Sequence, residues 1–83
     1  MALLDKIHQI SEGYSEGIYN NKKYSITKQI FNNGKSYKIF GKELQGTDFI
    51  SLNYYITSKN ELLKPCEMPK EKVIDFIEKV KII

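Results

Sequence analysis

The sequence predicts an α+β domain: an antiparallel meander of four to five β-strands, with N- and C-terminal helices packed on one of its faces. Three observations lead there. Apolar residues recur at helical spacing near both ends of the chain. Between those ends apolar and polar residues alternate in short runs. Asparagine- and glycine-rich turns punctuate the runs. With 83 residues in all, residues 1–83 form a single globular domain.

The first helix is expected over Ala2–Glu12, where Leu3, Leu4, Ile7 and Ile10 share a face and Tyr14 continues the phase. Gly13 stands where a helix C-cap adopts positive φ without steric cost. A short strand, Tyr14–Tyr19, follows and is weakened by Gly17. Asn20-Asn21 then makes a tight turn, because asparagine tolerates the left-handed region. From Tyr24 to Phe31, Tyr24, Ile26 and Ile30 take one face and Ser25, Thr27 and Gln29 the other. Asn32-Asn33-Gly34 is a hairpin signal. Ser36–Leu44 is the returning strand, with Tyr37 and Ile39 in phase and Gly41 as a bend.

After the turn Gln45-Gly46-Thr47-Asp48 comes the most regular strand, Phe49–Thr57. Here Ile50, Leu52, Tyr54 and Ile56 point one way, and Ser51, Asn53 and Tyr55 the other. Beyond Ser58-Lys59-Asn60, Glu61–Cys66 forms a last strand, kept to an edge because Pro65 has no amide to donate. The opposite edge, Tyr14–Tyr19, carries no such block and invites pairing with another chain. Pro69 opens the C-terminal helix, Glu71 sits in the first turn where the dipole favours an acid, and Val73, Phe76, Ile77 and Val80 make its apolar stripe. A sheet wet on one face needs cover on the other, and two amphipathic helices supply it.

Composition excludes several classes. A mean hydropathy of −0.43, with no apolar run near the ~18 residues of a spanning helix, argues against a membrane protein. Asp5, Lys6 and His8 interrupt the N-terminal apolar stretch, so no signal peptide is expected and the location is expected to be cytoplasmic. One cysteine rules out an intramolecular disulfide framework. The net charge of +3 comes from thirteen basic residues against ten acids, and every basic residue is lysine. Lysine is a hydrated point charge, whereas arginine is the planar fork that matches phosphate and guanine edges. Nucleic acid is therefore not the expected partner, and the lysine, asparagine, isoleucine and tyrosine bias fits the codon usage of an AT-rich genome.

Gly34-Lys35-Ser36 matches the end of a phosphate-binding P-loop, but Gln29 stands where the motif needs its first glycine. A strand rather than a helix follows it, so the segment is a hairpin turn. One histidine and one cysteine, far apart, give no metal-ligand spacing, and neither a metal nor a cofactor is expected. His8 and Glu12, on neighbouring helical turns, form a surface pair. Cys66, in Pro65-Cys66-Glu67-Met68 just before the last helix, is the candidate nucleophile: a thiol near a helix N-terminus and Lys64 has its thiolate favoured. Glu67 opposes that, no second cysteine resolves a disulfide, and the histidine lies on the other helix, so a structural role outweighs a reactive one.

Strand phase sends Phe31, Phe49 and Tyr55, together with Lys38, to the face opposite the helices, with Phe40 and Tyr19 as further members. Such a face stacks bases, lines an apolar groove or forms a dimer interface; equally, loops or sheet twist cover the rings. The sheet-borne RNA-reading signature, a basic residue followed by Gly-aromatic-Gly-Phe, is absent.

The strings Gly34-Lys35-Ser36, Asp48-Phe49-Ile50-Ser51-Leu52-Asn53-Tyr54-Tyr55 and Leu62-Leu63-Lys64-Pro65-Cys66-Glu67-Met68-Pro69 together resemble a group of short bacterial proteins without assigned activity. Some of that group are labelled peptide methionine sulfoxide reductase. Those reductases carry a Gly-Cys-Phe-Trp motif or a pair of Cys-x-x-Cys motifs, and a chain with no tryptophan and one cysteine has neither. The resemblance implies a bacterial cytosolic protein and transfers no catalytic residue. The expected function is thus a small non-enzymatic binding module whose partner is another protein or its own copy. The alternatives are thiol-dependent redox chemistry at Cys66 and weak nucleic-acid binding through the lysine and aromatic sheet face. Weak self-association is expected through the Phe31, Phe49 and Tyr55 face or the first strand.

Overall fold

The computed structural model describes residues 3–83. Ala2, where the sequence places the start of the first helix, and the side chain of Leu4 lie outside the described residues. Helix α1 spans Leu3–Gln9, a turn shorter than the apolar periodicity predicts. Its end is set by a lysine rather than by Gly13. The ammonium of Lys28 donates to the carbonyl oxygens of Ile7 and Ile10 at 2.7 and 2.8 Å, so a cation satisfies the last turn. Gly13, at φ +92°, instead opens the first strand.

Five strands follow as an antiparallel meander: β1 (Gly13–Tyr19), β2 (Lys22–Phe31), β3 (Ser36–Glu43), β4 (Phe49–Ile56) and β5 (Glu61–Pro65). Helix α2 (Lys70–Lys79) then returns the chain to the far edge, where a sixth strand, β6 (Lys81–Ile82), pairs antiparallel with β1. The sheet order is β5-β4-β3-β2-β1-β6. The expected four to five strands are therefore six, and β1 is not a bare edge. The sixth strand hides in the sequence because Val80 continues the helical phase, yet its backbone is already extended at φ −64°, ψ 138°. Pro69 is likewise the residue before the helix, with φ −63° and ψ 144°, and not its first member.

The asparagine turns behave as their chemistry predicts. Asn20 and Asn21 adopt φ of 52° and 62°, and join Tyr19 to Lys22 in a two-residue hairpin. Asn32, Asn33 and Gly34 all lie at positive φ in the short turn between β2 and β3.

Both helices cover one face. Ile7 and Ile10 from α1, and Val73, Phe76 and Ile77 from α2, share a buried cluster with Tyr24, Ile26, Ile39, Ile50, Leu52 and Tyr54 from the strands. Gly41 belongs to this face and makes no bend. A Cβ there would lie 3.2 Å from both Phe76 Cζ and Ile50 Cγ1, so the glycine is what lets the Phe76 ring reach the sheet. Tyr19 is also an inner residue, its ring centroid 5.0 Å from that of Phe76, which removes it from the opposite face. Tyr14 shows the reverse: it continues no helix and is 63% exposed on the outer side of β1. Among the described residues no helix is long and apolar enough to cross a membrane.

Candidate functional site

The strand registers place Phe31, Lys38, Phe49 and Tyr55 on the sheet face opposite the one that α1 and α2 pack against. The face is ordered in cross-strand rows. Phe31, Ser36, Tyr55 and Leu62 form one, and Gln29, Lys38, Asn53 and Lys64 the next. Tyr14, Thr27, Phe40 and Ser51 form a third, and Glu16, Ser25, Lys42 and Phe49 a fourth. Neighbouring rows are two residues apart along each strand, about 7 Å. A lysine and amide row thus lies between two aromatic rows.

The rings are open to solvent. Phe31, Phe40, Phe49 and Tyr55 are between 36 and 48% exposed. Phe40 and Phe49 stack on each other with centroids 6.1 Å apart and planes 29° from parallel. Four half-exposed aromatics on one strand face leave apolar surface in contact with water. Beside them, Thr27, Gln29, Lys38, Phe40 and Ser51 line a shallow depression of about 470 Å³.

Charge is divided unevenly between the two sides. The outward positions of the strands hold five lysines, Lys23, Lys38, Lys42, Lys64 and Lys81, against one acid, Glu16. That face carries a net +4, so the remaining eight lysines and nine acids leave the rest of the chain at −1. Lys23 pairs with Glu16 at 3.3 Å, and Tyr14 donates to the same carboxylate at 2.7 Å. Those bonds, Tyr14 first, hold Glu16 below the usual carboxylate range. Among the described residues Lys38, Lys42 and Lys64 make no ion pair.

The acids are concentrated on the helical side, where they fasten structure. Asp48 accepts from Lys72 of α2 at 2.6 Å and from the Tyr24 hydroxyl at 2.8 Å. The Lys72 bond, aided by Tyr24, holds its carboxyl below the usual range. Asp75 accepts from Tyr19 and pairs with Lys79 at 2.7 Å, which lowers its pKa in the same way. Tyr54 donates to Glu61. Burial, reinforced by these carboxylates, pushes Tyr19 up to about 12 and Tyr24 and Tyr54 higher still. These groups tie α2 and the β4–β5 turn to the sheet.

The other candidates are not assembled into a reactive centre. Cys66 follows β5 and lies four residues before α2. Its amide donates to Ser51 O at 3.0 Å, and the Asn53 side-chain amide approaches Sγ at 3.6 Å. The half-buried thiol therefore sits at the rim of the lysine and amide row. His8 does not pair with Glu12; its Nε2 lies 3.1 Å from the Tyr37 hydroxyl, in an edge-on ring contact. Among the described residues no group of three or more His, Cys, Asp or Glu is placed to hold a metal ion.

Sequence reasoning missed Lys28. It occupies the inward phase between Ile26 and Ile30, is only 3% exposed, and carries its ammonium 5.2 Å from the Tyr37 ring centroid. The missing signal was its place in the alternation itself, a lysine where an apolar residue belongs. No family model matches the chain, and no curated protein or solved structure matches it either.

Proposed function

We propose that the protein is a binding module that works through its uncovered sheet face and carries out no covalent chemistry, and that its partner is anionic. The observation that carries this reading is the segregation of charge: a face at +4 with exposed aromatic rings, on a chain whose remainder is −1. Long-range attraction between such a face and a negative partner speeds encounter, and burial of the rings then holds the complex. A second copy of the chain is the weaker candidate, because stacking two such faces opposes +4 with +4.

The test separates the patch from the net charge. Heparin serves as a generic polyanion, and retention on a heparin column is measured for two variants of equal charge. Replacing Lys38 and Lys42 by Gln removes two lysines of the face, and replacing Lys59 and Lys70 by Gln removes two exposed lysines outside it. The first variant should elute at distinctly lower salt than the wild type and the second close to it. Equal loss in both would leave only non-specific attraction and defeat the proposal.

A further inference from the structure

Resting on that reading of the face, we infer that the anionic partner is a single-stranded nucleic acid, bound with little sequence preference. Two features of the face separate this partner from an acidic protein surface, and a third sets how little it discriminates between sequences. The first is the row order. Lys38 and Lys64 share a row that lies between the aromatic row of Phe31 and Tyr55 and the row of Phe40. A chain of alternating phosphates and planar bases presents both chemistries at short intervals, and stacking on aromatic rings tolerates any base because every base has a π-face. The carboxylates of an acidic peptide engage lysines but supply no plane to stack on the rings.

The second feature is the depression beside Phe40. Its lining combines one ring, one ammonium, the Gln29 amide and the hydroxyls of Thr27 and Ser51. Donors and acceptors around the edge of an aromatic ring suit a planar heterocycle whose own edge carries both kinds of group. Carboxylates ask only for donors. Duplex DNA or RNA keeps its bases stacked internally, so it offers these rings nothing; only an unstacked strand does.

The third feature is the kind of cation. All five outward cations are lysines, which neutralise phosphates as point charges and do not fork onto guanine edges as arginine does. Affinity then comes from backbone charge and stacking, and discrimination between sequences is small.

The experiment is an amide NMR titration of the full chain with a single-stranded deoxythymidine ten-mer. The same titration is run with a deoxyadenosine ten-mer, a duplex of equal length and a polyglutamate peptide. Shifts should concentrate on β2, β3 and β4 with either single strand, and affinity should fall roughly fifty-fold between about 50 and about 200 mM salt if four phosphates are neutralised. Phe40→Leu and Phe49→Leu should each weaken binding about ten-fold. Phe40→Tyr, which keeps a stacking plane, should bind within about two-fold of wild type. Thermal melts of all variants establish that each is folded, and a Phe40→Leu that does not fold leaves Phe49→Leu and Phe40→Tyr to decide.

Polyglutamate binding as tightly as the oligonucleotides, or leucine variants that bind like wild type, would overturn the nucleic-acid inference while leaving the anion-binding face intact. The duplex binding as tightly as the single strands would overturn it equally. Absence of shifts with every anion would overturn both the inference and the reading it rests on.

Discussion

The ammonium of Lys28 donates to the carbonyl of Ile10 at 2.8 Å, which makes a strand residue the cap of the N-terminal helix. Lys28 also reaches Ile7 O, and its ammonium lies 5.2 Å from the Tyr37 ring centroid. Sheet, helix and cap thus form one unit. The Ile7 carbonyl also accepts from the Ile10 amide at 3.2 Å, so the Ile10 carbonyl is the one that depends on the lysine, and leaving it buried without a donor costs about 1–3 kcal/mol. Lys28→Met, which keeps the length of the side chain, should therefore destabilise the protein by about that amount in urea unfolding. Amide exchange should accelerate first in α1. Unchanged exchange there would show that apolar packing of Ile7 and Ile10 holds the helix without the cap.

The same lysine has a pH signature. Burial lowers its pKa, so the unfolded chain holds this proton more firmly than the native one. Between the lowered native value and 10.5 stability contributed by this group rises with pH, and it is lost as pH falls through that window. A neutral amine still donates two N–H groups, so α1 should stay docked as the lysine deprotonates. The stability difference between wild type and Lys28→Met, followed from pH 8 upward, should widen in favour of the wild type.

Tyrosines set the opposite, alkaline limit. The native pKa of Tyr19 is pushed up to about 12, and those of Tyr24 and Tyr54 are raised further, all from an unfolded value of 10.0. The stability they contribute is fully present below pH 10 and is lost as pH rises through the native values. Absorbance near 295 nm should show these three phenols ionising only in the alkaline unfolding transition. Their ionisation well before unfolding would contradict the burial of these phenols against their carboxylate partners.

At acid pH the sign reverses. Asp48 and Asp75 have native values below 3.8, so their stabilisation is present above that pH and disappears as pH falls through the native values. Asp48 is more than a third exposed, and its pair with Lys72 contributes at most about 1 kcal/mol after screening. Asp48→Asn keeps an acceptor for Tyr24 but not the charge for Lys72. Its stability should fall less steeply than that of the wild type between pH 4 and pH 2.

Much of this architecture follows from local pattern. Period-two alternation places β2 and β4, and the asparagine pairs at 20–21 and 32–33 place two hairpins because they accept positive φ. What lies beyond local pattern depends on distant partners. Tyr19 is held inward by Asp75, far along the chain, which accepts its hydroxyl, and the chain end beyond β6 is tied to β1 where the Ile83 amide donates to Glu16 O at 2.9 Å. The clustering of five lysines is invisible until register is known, since a one-residue slip in any strand would send its lysines to the other face. Phe31, Phe49, Tyr55 and Lys38 share a face in the alternation already. Their arrangement into rows, and the depression beside Phe40, belong to the pairing.

The sixth strand makes its own prediction. A Cβ on Gly17 would lie 2.8 Å from Val80 Cγ2 and 3.0 Å from the Lys81 carbonyl oxygen, so the start of β6 has to give way. Gly17→Ala should cost about 1–3 kcal/mol by overpacking and should free β6 before the rest of the sheet. Rapid exchange of the Ile83 amide, with β2 and β3 still protected, is the expected readout. Protection equal to that of the wild type would mean the chain end shifts without losing its pairing.

Self-association tests the charge argument most directly. The outer face invites apolar contact through Phe49 and Tyr55, but two copies meeting there bring +4 against +4. Like charges across an interface cost free energy that salt screens, with a Debye length of about 10 Å at 0.1 M. Sedimentation from micromolar to millimolar protein should therefore show a monomer at low salt, with association appearing only as salt rises. Phe49→Ser and Tyr55→Ser should abolish that salt-driven association, since they remove the rings and leave the charge. A dimer that is tight at low salt and indifferent to both substitutions would place the contact elsewhere. The edge of β1 beyond the two residues paired with β6 is where unpaired strand remains, and Tyr14, 63% exposed beside it, would then be the next residue to replace.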